Sequence, residues 1–216
     1  MHGAFVTTGL ATRLRTETTQ LHRHAERSGL MARLLQGRIE TRAYCSLLRS
    51  LHLLYDALES GLARHARRPD IAPLCLPELP RTAALHEDLC ALHGGGWSDD
   101  IPPAAAAIEY ADHLKALAID QPALLAAHSY VRHLGDLHGG QVLGRVVSAA
   151  LQLQDGLGTR FYAFDGEVGG LIRRYRDGLD ALPQDATRVD ALVAEAQAGF
   201  RRHITMFDEL AAALPD

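Results

Sequence analysis

The sequence predicts an all-α protein of one multihelical domain, and three observations carry that prediction. Apolar residues recur at three- and four-residue spacing through eight segments, the period of a helix with one buried face. Glycines and prolines punctuate those segments. No alternating run bounded by hairpin turns occurs.

The elements follow in order. Over 10–28, Leu14, Thr18, His22 and Ala25 share one stripe that continues to Gly29, while Arg13, Glu17, His24, Arg27 and Ser28 lie on another side. A short segment, 30–36, stops at Gly37. A long one, 40–66, ends before a connection at 67–80 that holds Pro69, Pro73, Pro77 and Pro80. That connection is expected to drape over the surface rather than to join two domains. The segment 81–93 stops at the glycines of 94–96, and 103–118 opens at the prolines of 102–103. The segment 121–153 begins beside Pro122 and reads as one helix despite the run HLGDLHGGQVLG at 133–144. The last two segments, 167–182 and 187–213, flank Pro183.

A chain of 216 residues, 47% hydrophobic and 22% charged, is long enough for one full core. The domain is expected over 10–216, with 1–9 as a flexible N-terminus. A net charge of −4 gives no reason to expect nucleic acid as a partner. Three cysteines, Cys45, Cys75 and Cys90, form no close metal-binding pair and suit a reducing compartment. Neither a signal peptide nor a membrane span is visible, so a cytoplasmic protein with no membrane contact is expected. The unusual number is twelve histidines.

Two features ask for chemistry. His22 and His24 point about 200° apart on a helix, so only one faces inward, and the stripe selects His22. Glu26 stands at i+4 and is able to hold Nδ1 of that ring, which leaves Nε2 for a metal. A core histidine satisfied by a hydrogen bond is the other reading. The second feature is the set Gly135, Gly139, Gly140 and Gly144 inside a helix, each costing roughly 1 kcal/mol relative to alanine. Glycines on one face admit either a neighbouring helix or a flat ligand. Asp136 among them is expensive to bury unless it is hydrogen-bonded, and Arg132 lies one turn earlier.

These residues resemble a known family. AHSYVRHLGDLHGGQVL at 127–143 is similar to the distal-helix signature of haem oxygenases, and HRHAERSGLMARLLQG at 22–37 to their proximal-histidine region. LHLLYDALE at 51–59, PELPRTAALHEDL at 77–89, Tyr175–Arg176 and FRRHITMFDEL at 200–210 match in the same order. The resemblance covers about residues 10–212. It implies haem (heme b), both substrate and cofactor, held between a proximal and a distal helix. His22 would be the iron ligand, Glu26 its orienting carboxylate, and Gly135, Gly139 and Gly140 the distal glycines that let haem and O2 lie against the backbone. Asp136 would order a distal water network with Arg132, Tyr55 and His203. Arg15, Tyr130, Arg173 and Arg176 would meet the propionates, and Met31, Leu34 and Phe200 the ring. Two departures stand out: Ile172 where mammalian-type enzymes carry a propionate-binding lysine, and His203 where an asparagine is usual.

The implied activity is oxidative cleavage of haem to biliverdin with release of CO and ferrous iron. It uses O2 and electrons from an external donor, a ferredoxin, flavodoxin-like protein or reductase. A biliverdin acceptor such as a bacterial phytochrome is a further implied partner. The rival readings are a non-catalytic haem carrier or sensor, which would need no Asp136, and a fold relative that handles thiamine fragments or a di-iron site. No Glu-x-x-His occurs in the chain, which disfavours a di-iron centre.

Overall fold

The computed structural model describes residues 9–214, and among them every regular element is helical. Ten helices are formed: α1 (Leu10–Arg27), α2 (Gly29–Leu35), α3 (Thr41–Arg64), α4 (Thr82–Leu92), α5 (Trp97–Asp100), α6 (Ala105–Asp120), α7 (Leu125–Ser129), α8 (Gly135–Leu151), α9 (Val168–Asp180) and α10 (Ala186–Ala212). The expected flexible N-terminus falls almost wholly outside the described residues. Gly9 itself lies against the Asp180 carboxylate, which also accepts a hydrogen bond from the Ala11 amide at 2.8 Å.

Two packing layers meet at the centre. Helix α1 runs along α10, and α3 packs against α4 and α6. Tyr44, Tyr55, Tyr110, Tyr175 and Phe161 are fully buried between them. Local sequence sets the helix starts where a capping side chain is present. Glu167 accepts from the Gly170 amide at 2.6 Å to open α9, and Asp185 accepts from the Arg188 amide at 3.0 Å to open α10. Gly29 turns the chain between α1 and α2 with φ +40°. A Cβ there would run into the Phe207 backbone, so the glycine lets α2 sit directly on α10.

Two expectations change, and one element is added. The segment 121–153 is not one helix. After a 3₁₀ turn at Pro122–Leu124 come α7, a π-helical stretch at Tyr130–Leu134, and then α8. The connection at 67–80 is anchored rather than draped: Ile71, Leu74 and Leu79 are buried, and Gly178 of α9 lets the Pro73 carbonyl approach closely. A further 3₁₀ turn, Arg160–Tyr162, is held by the buried Asp88, whose carboxylate accepts from the Arg160 and Phe161 amides at 2.8 Å each. Nothing in the periodicity announces that turn, yet it forms the back wall of α8.

Candidate functional site

A cleft opens between α1–α2 on one side and the π stretch with α8 on the other. It consists of an inner cavity of about 340 Å³ and an outer one of about 610 Å³, which share His22, Glu26, Val131, Gly135, His138 and Phe200 as walls. Both volumes fall in the range of small-molecule sites.

On the proximal wall, helix phase separates the two histidines as expected, with one correction. His22 does not pack into the core. Its side chain is about half exposed, and it looks into the cleft. His24 is exposed and lines neither cavity. The Nδ1 edge of His22 faces the Glu26 carboxylate at 3.7 Å, so the Nε2 edge is left for a ligand. The Phe200 ring stands edge-on at 5.8 Å between centroids and steadies the imidazole. Met31 lines the inner cavity as expected. Leu34 does not: it is fully buried in the core, and its neighbour Leu35 faces the cleft instead.

The distal wall resolves the four glycines into two pairs. A Cβ built on Gly135 or Gly139 meets no atom within 4 Å, and both residues border the inner cavity. Gly140 and Gly144 face the other way. A Cβ on Gly140 would lie 3.5 Å from the Tyr162 carbonyl oxygen, and one on Gly144 would lie 3.2 Å from the Tyr162 Cβ. Gly140 thus faces the Arg160–Tyr162 turn at ordinary contact distance and, unlike Gly135 and Gly139, lines neither cavity.

Asp136 sits one residue after Gly135 and is 6% exposed. Its carboxylate accepts a short hydrogen bond from the Tyr55 hydroxyl and pairs with Arg132 Nη2 at 2.7 Å. Arg132 Nε donates to the Tyr55 oxygen at 3.2 Å, which closes a ring of three groups. Burial pushes the Asp136 carboxyl well above its ordinary range and pulls Arg132 down to about 10; the ion pair between them opposes both shifts. The result is a carboxyl at the cavity edge that is able to hold or pass a proton. Tyr55, fully buried, supports it from behind and touches neither cavity.

His203 adds a further polar atom. Its Nδ1 donates to the Gly199 carbonyl at 2.9 Å, burial keeps the ring neutral, and its buried Nε2 has no partner although the residue lines the inner cavity. A buried acceptor left open beside a cavity fits a water or ligand donor there.

Arg15, Tyr130 and Arg176 line the outer cavity together with Arg23, which sequence reading missed. Arg173 does not join them. It is strongly exposed and pairs with Glu167 at 3.3 Å. Ile172 packs partly buried against the core. His138 borders both cavities, accepts from Arg176 Nη2 at 3.4 Å and links the basic rim to α8.

Comparison with known proteins decides the family. A family model described as "Heme oxygenase" matches residues 8–209. The chain belongs to the haem oxygenase family. Heme oxygenase 2 of the cyanobacterium Synechocystis sp. is 41% identical over 198 residues, covering 89% of this chain and 79% of that one. The crystal structure of heme oxygenase-1 from Synechocystis sp. in complex with heme superposes with a TM-score of 0.91 at 35% identity, covering 95% of this chain and 93% of that chain. A heme oxygenase structure from Leptospira interrogans gives 0.90 at 35% identity, covering 94% and 100%. The expected all-helical haem oxygenase fold and the enzyme class, an oxidoreductase of the haem oxygenase type, both stand. No helix of the described residues is long and apolar enough to cross a membrane.

Proposed function

We propose that the cleft takes haem as substrate and cofactor and that the chain converts it to biliverdin, CO and ferrous iron. The observation that carries this reading is that His22 of α1 and Asp136 of α8 line one cavity, with two open glycines on the wall that carries Asp136. A flat macrocycle needs such a gap, and the unpartnered His203 Nε2 fits a water network over it. When bound, haem supplies the iron that binds O2 and the ring that is opened.

The chain's residues then divide the work. His22 Nε2 would ligate the iron, and Glu26 would favour a proton on Nδ1, which fixes tautomer and ring angle. Neutral imidazole donates less electron density than a thiolate would. Asp136 holds a water at the cavity edge and sets its hydrogen-bond orientation. Arg132 and Tyr55 orient the Asp136 carboxyl. Gly135 and Gly139 keep side chains out of the space above the ring. Arg15, Arg23, Tyr130 and Arg176 hold the propionates and so choose which ring edge faces the distal water. Met31 and Phe200 cover the proximal face.

Electrons come from an external ferredoxin, flavodoxin-like protein or reductase, and the product passes to a biliverdin acceptor such as a bacterial phytochrome. The cytoplasm is the proposed compartment, which three unpaired cysteines suit. A haem carrier or sensor would have no use for the buried Asp136–Arg132–Tyr55 ring. The test is incubation with haem, a ferredoxin system or ascorbate, and O2, followed by chromatography of the bilins. One dominant biliverdin isomer is expected, and haem bound unchanged through repeated reduction in air would favour the carrier.

A further inference from the structure

Away from the cleft, three side chains from three helices converge. His113 of α6, His128 of α7 and Glu195 of α10 bring their nitrogen and oxygen ligand atoms within 4.8 Å of one another. His113 Nε2 lies 2.7 Å and His128 Nε2 2.8 Å from the same carboxylate oxygen, Oε1 of Glu195. We propose that these three residues form a binding site for a divalent late first-row cation of the zinc type, independent of the haem site.

The donor set is two imidazoles and one carboxylate, which suits Zn²⁺ with water at a fourth position. His128 is already oriented for it. The ring is almost fully buried, and its Nδ1 is 2.7 Å from the Tyr110 hydroxyl, the outer partner that ligating histidines ordinarily have. Without metal, both Nε2–H groups donate to Glu195, and Tyr110 donates to His128 Nδ1. With metal, each His proton shifts to Nδ1, the Nε2 lone pairs turn to the cation, and His128 donates to Tyr110. Ligand atoms around a tetrahedral Zn²⁺ sit about 3.4 Å apart, so the His–Glu contacts need to open by roughly half an ångström.

Charge points the same way. Glu195 is 16% exposed, and among the described residues no Lys or Arg pairs with it. A largely buried carboxylate with no Lys or Arg paired to it has unspent capacity for a cation. His113, about a quarter exposed, leaves a path from solvent.

The experiment is titration of the metal-free chain with Zn²⁺ against a chromophoric chelator, with and without haem in the cleft. The expected result is one equivalent bound with micromolar or tighter affinity, the same in both states. His113→Ala and Glu195→Gln, each checked for unchanged helicity, should weaken it at least about tenfold. Co²⁺ should give the visible bands of a four-coordinate site in the wild-type chain and lose them in both variants. At a hundredfold excess over Kd, Zn²⁺ should raise Tm by about 5–10 °C. Binding no tighter than millimolar overturns the proposal. So does tight binding that survives both variants, or that His22→Ala or Cys90→Ser abolishes, since these would place the ion in the cleft or between Cys90 and His86, whose Sγ and Nε2 lie 3.5 Å apart. None of these readouts uses turnover, so they stand or fall apart from the haem reading.

Discussion

Replacing Gly139 by leucine separates helix stability from haem binding. A Cβ at this position meets no atom within 4 Å, so the larger side chain enters the inner cavity rather than the protein. Leucine is the better helix former, and the haem-free chain should gain up to roughly 1 kcal/mol. For a chain of this size that raises Tm by about 2–4 °C. The haem complex should lose, because the new side chain occupies space that the ring or O2 needs. Overpacking of this kind costs about 1–3 kcal/mol, which is about 5- to 150-fold in affinity. Gly144→Ala is the paired control. Its Cβ would press on Tyr162 at 3.2 Å, so its gain in helix propensity is offset by packing and haem affinity is unchanged. Thermal melts of the haem-free chain and Soret titrations with haem read the two effects separately. A Gly139→Leu chain that binds and turns over haem normally would refute the slot.

The remaining predictions concern other walls of the cleft and the acid limit of the fold. His22→Ala should abolish turnover, with partial rescue by added imidazole, while His24→Ala leaves the haem spectrum and the activity intact; the reverse pattern would overturn the assignment of the proximal face. Arg15→Ala and Arg176→Ala should shift the ratio of biliverdin isomers on chromatography, whereas Arg173→Ala, whose side chain pairs with Glu167 outside the cleft, should leave it unchanged. Exposed pairs are worth only about 0–1 kcal/mol, so affinity should change less than regiochemistry does. Glu195 has its folded pKa depressed from 4.5 to about 2, so its contribution is fully present above pH 4.5 and is lost as pH falls through that window. Acid titration of stability should be shallower by on the order of 2–3 kcal/mol in Glu195→Gln between those limits, and an identical acid limb in both chains would remove the contribution.

Helix type and helix phase were legible where the chain stays α-helical. The choice of His22 over His24 needed only the stripe through Leu14, Thr18 and Ala25. Phase failed at neighbours and at irregular backbone. Leu34 and Leu35 are adjacent apolar residues, and which one faces the cleft depends on how Gly29 tilts α2 against α10. Gly139 and Gly140 point about 100° apart, and only Gly139 borders the cavity while Gly140 faces Tyr162. The π stretch at Tyr130–Leu134 breaks the α-helical phase just before them, and a period counted from 121 does not carry across it. Asp136 and Arg132 stood out from the cost of burying a carboxylate one turn after an arginine, and Tyr55 through the resemblance alone; the closed ring between them is tertiary. The His113–His128–Glu195 cluster left no signal at all, because its members stand on three helices far apart in sequence.

The account's central claim is that Asp136 serves the chemistry and not the seating of haem. Asp136→Ala and Asp136→Asn should bind haem with near wild-type affinity and keep the spectrum of His22 ligation, because Asp136 borders the distal side of the cavity and the ligand stands on the proximal side. Both should fail after O2 is admitted. The measurement is single-turnover spectroscopy of the haem complex with reductant and O2, followed by quantification of the bilins. The account predicts normal haem binding and little biliverdin in both variants. A wild-type yield of biliverdin from Asp136→Ala would contradict it.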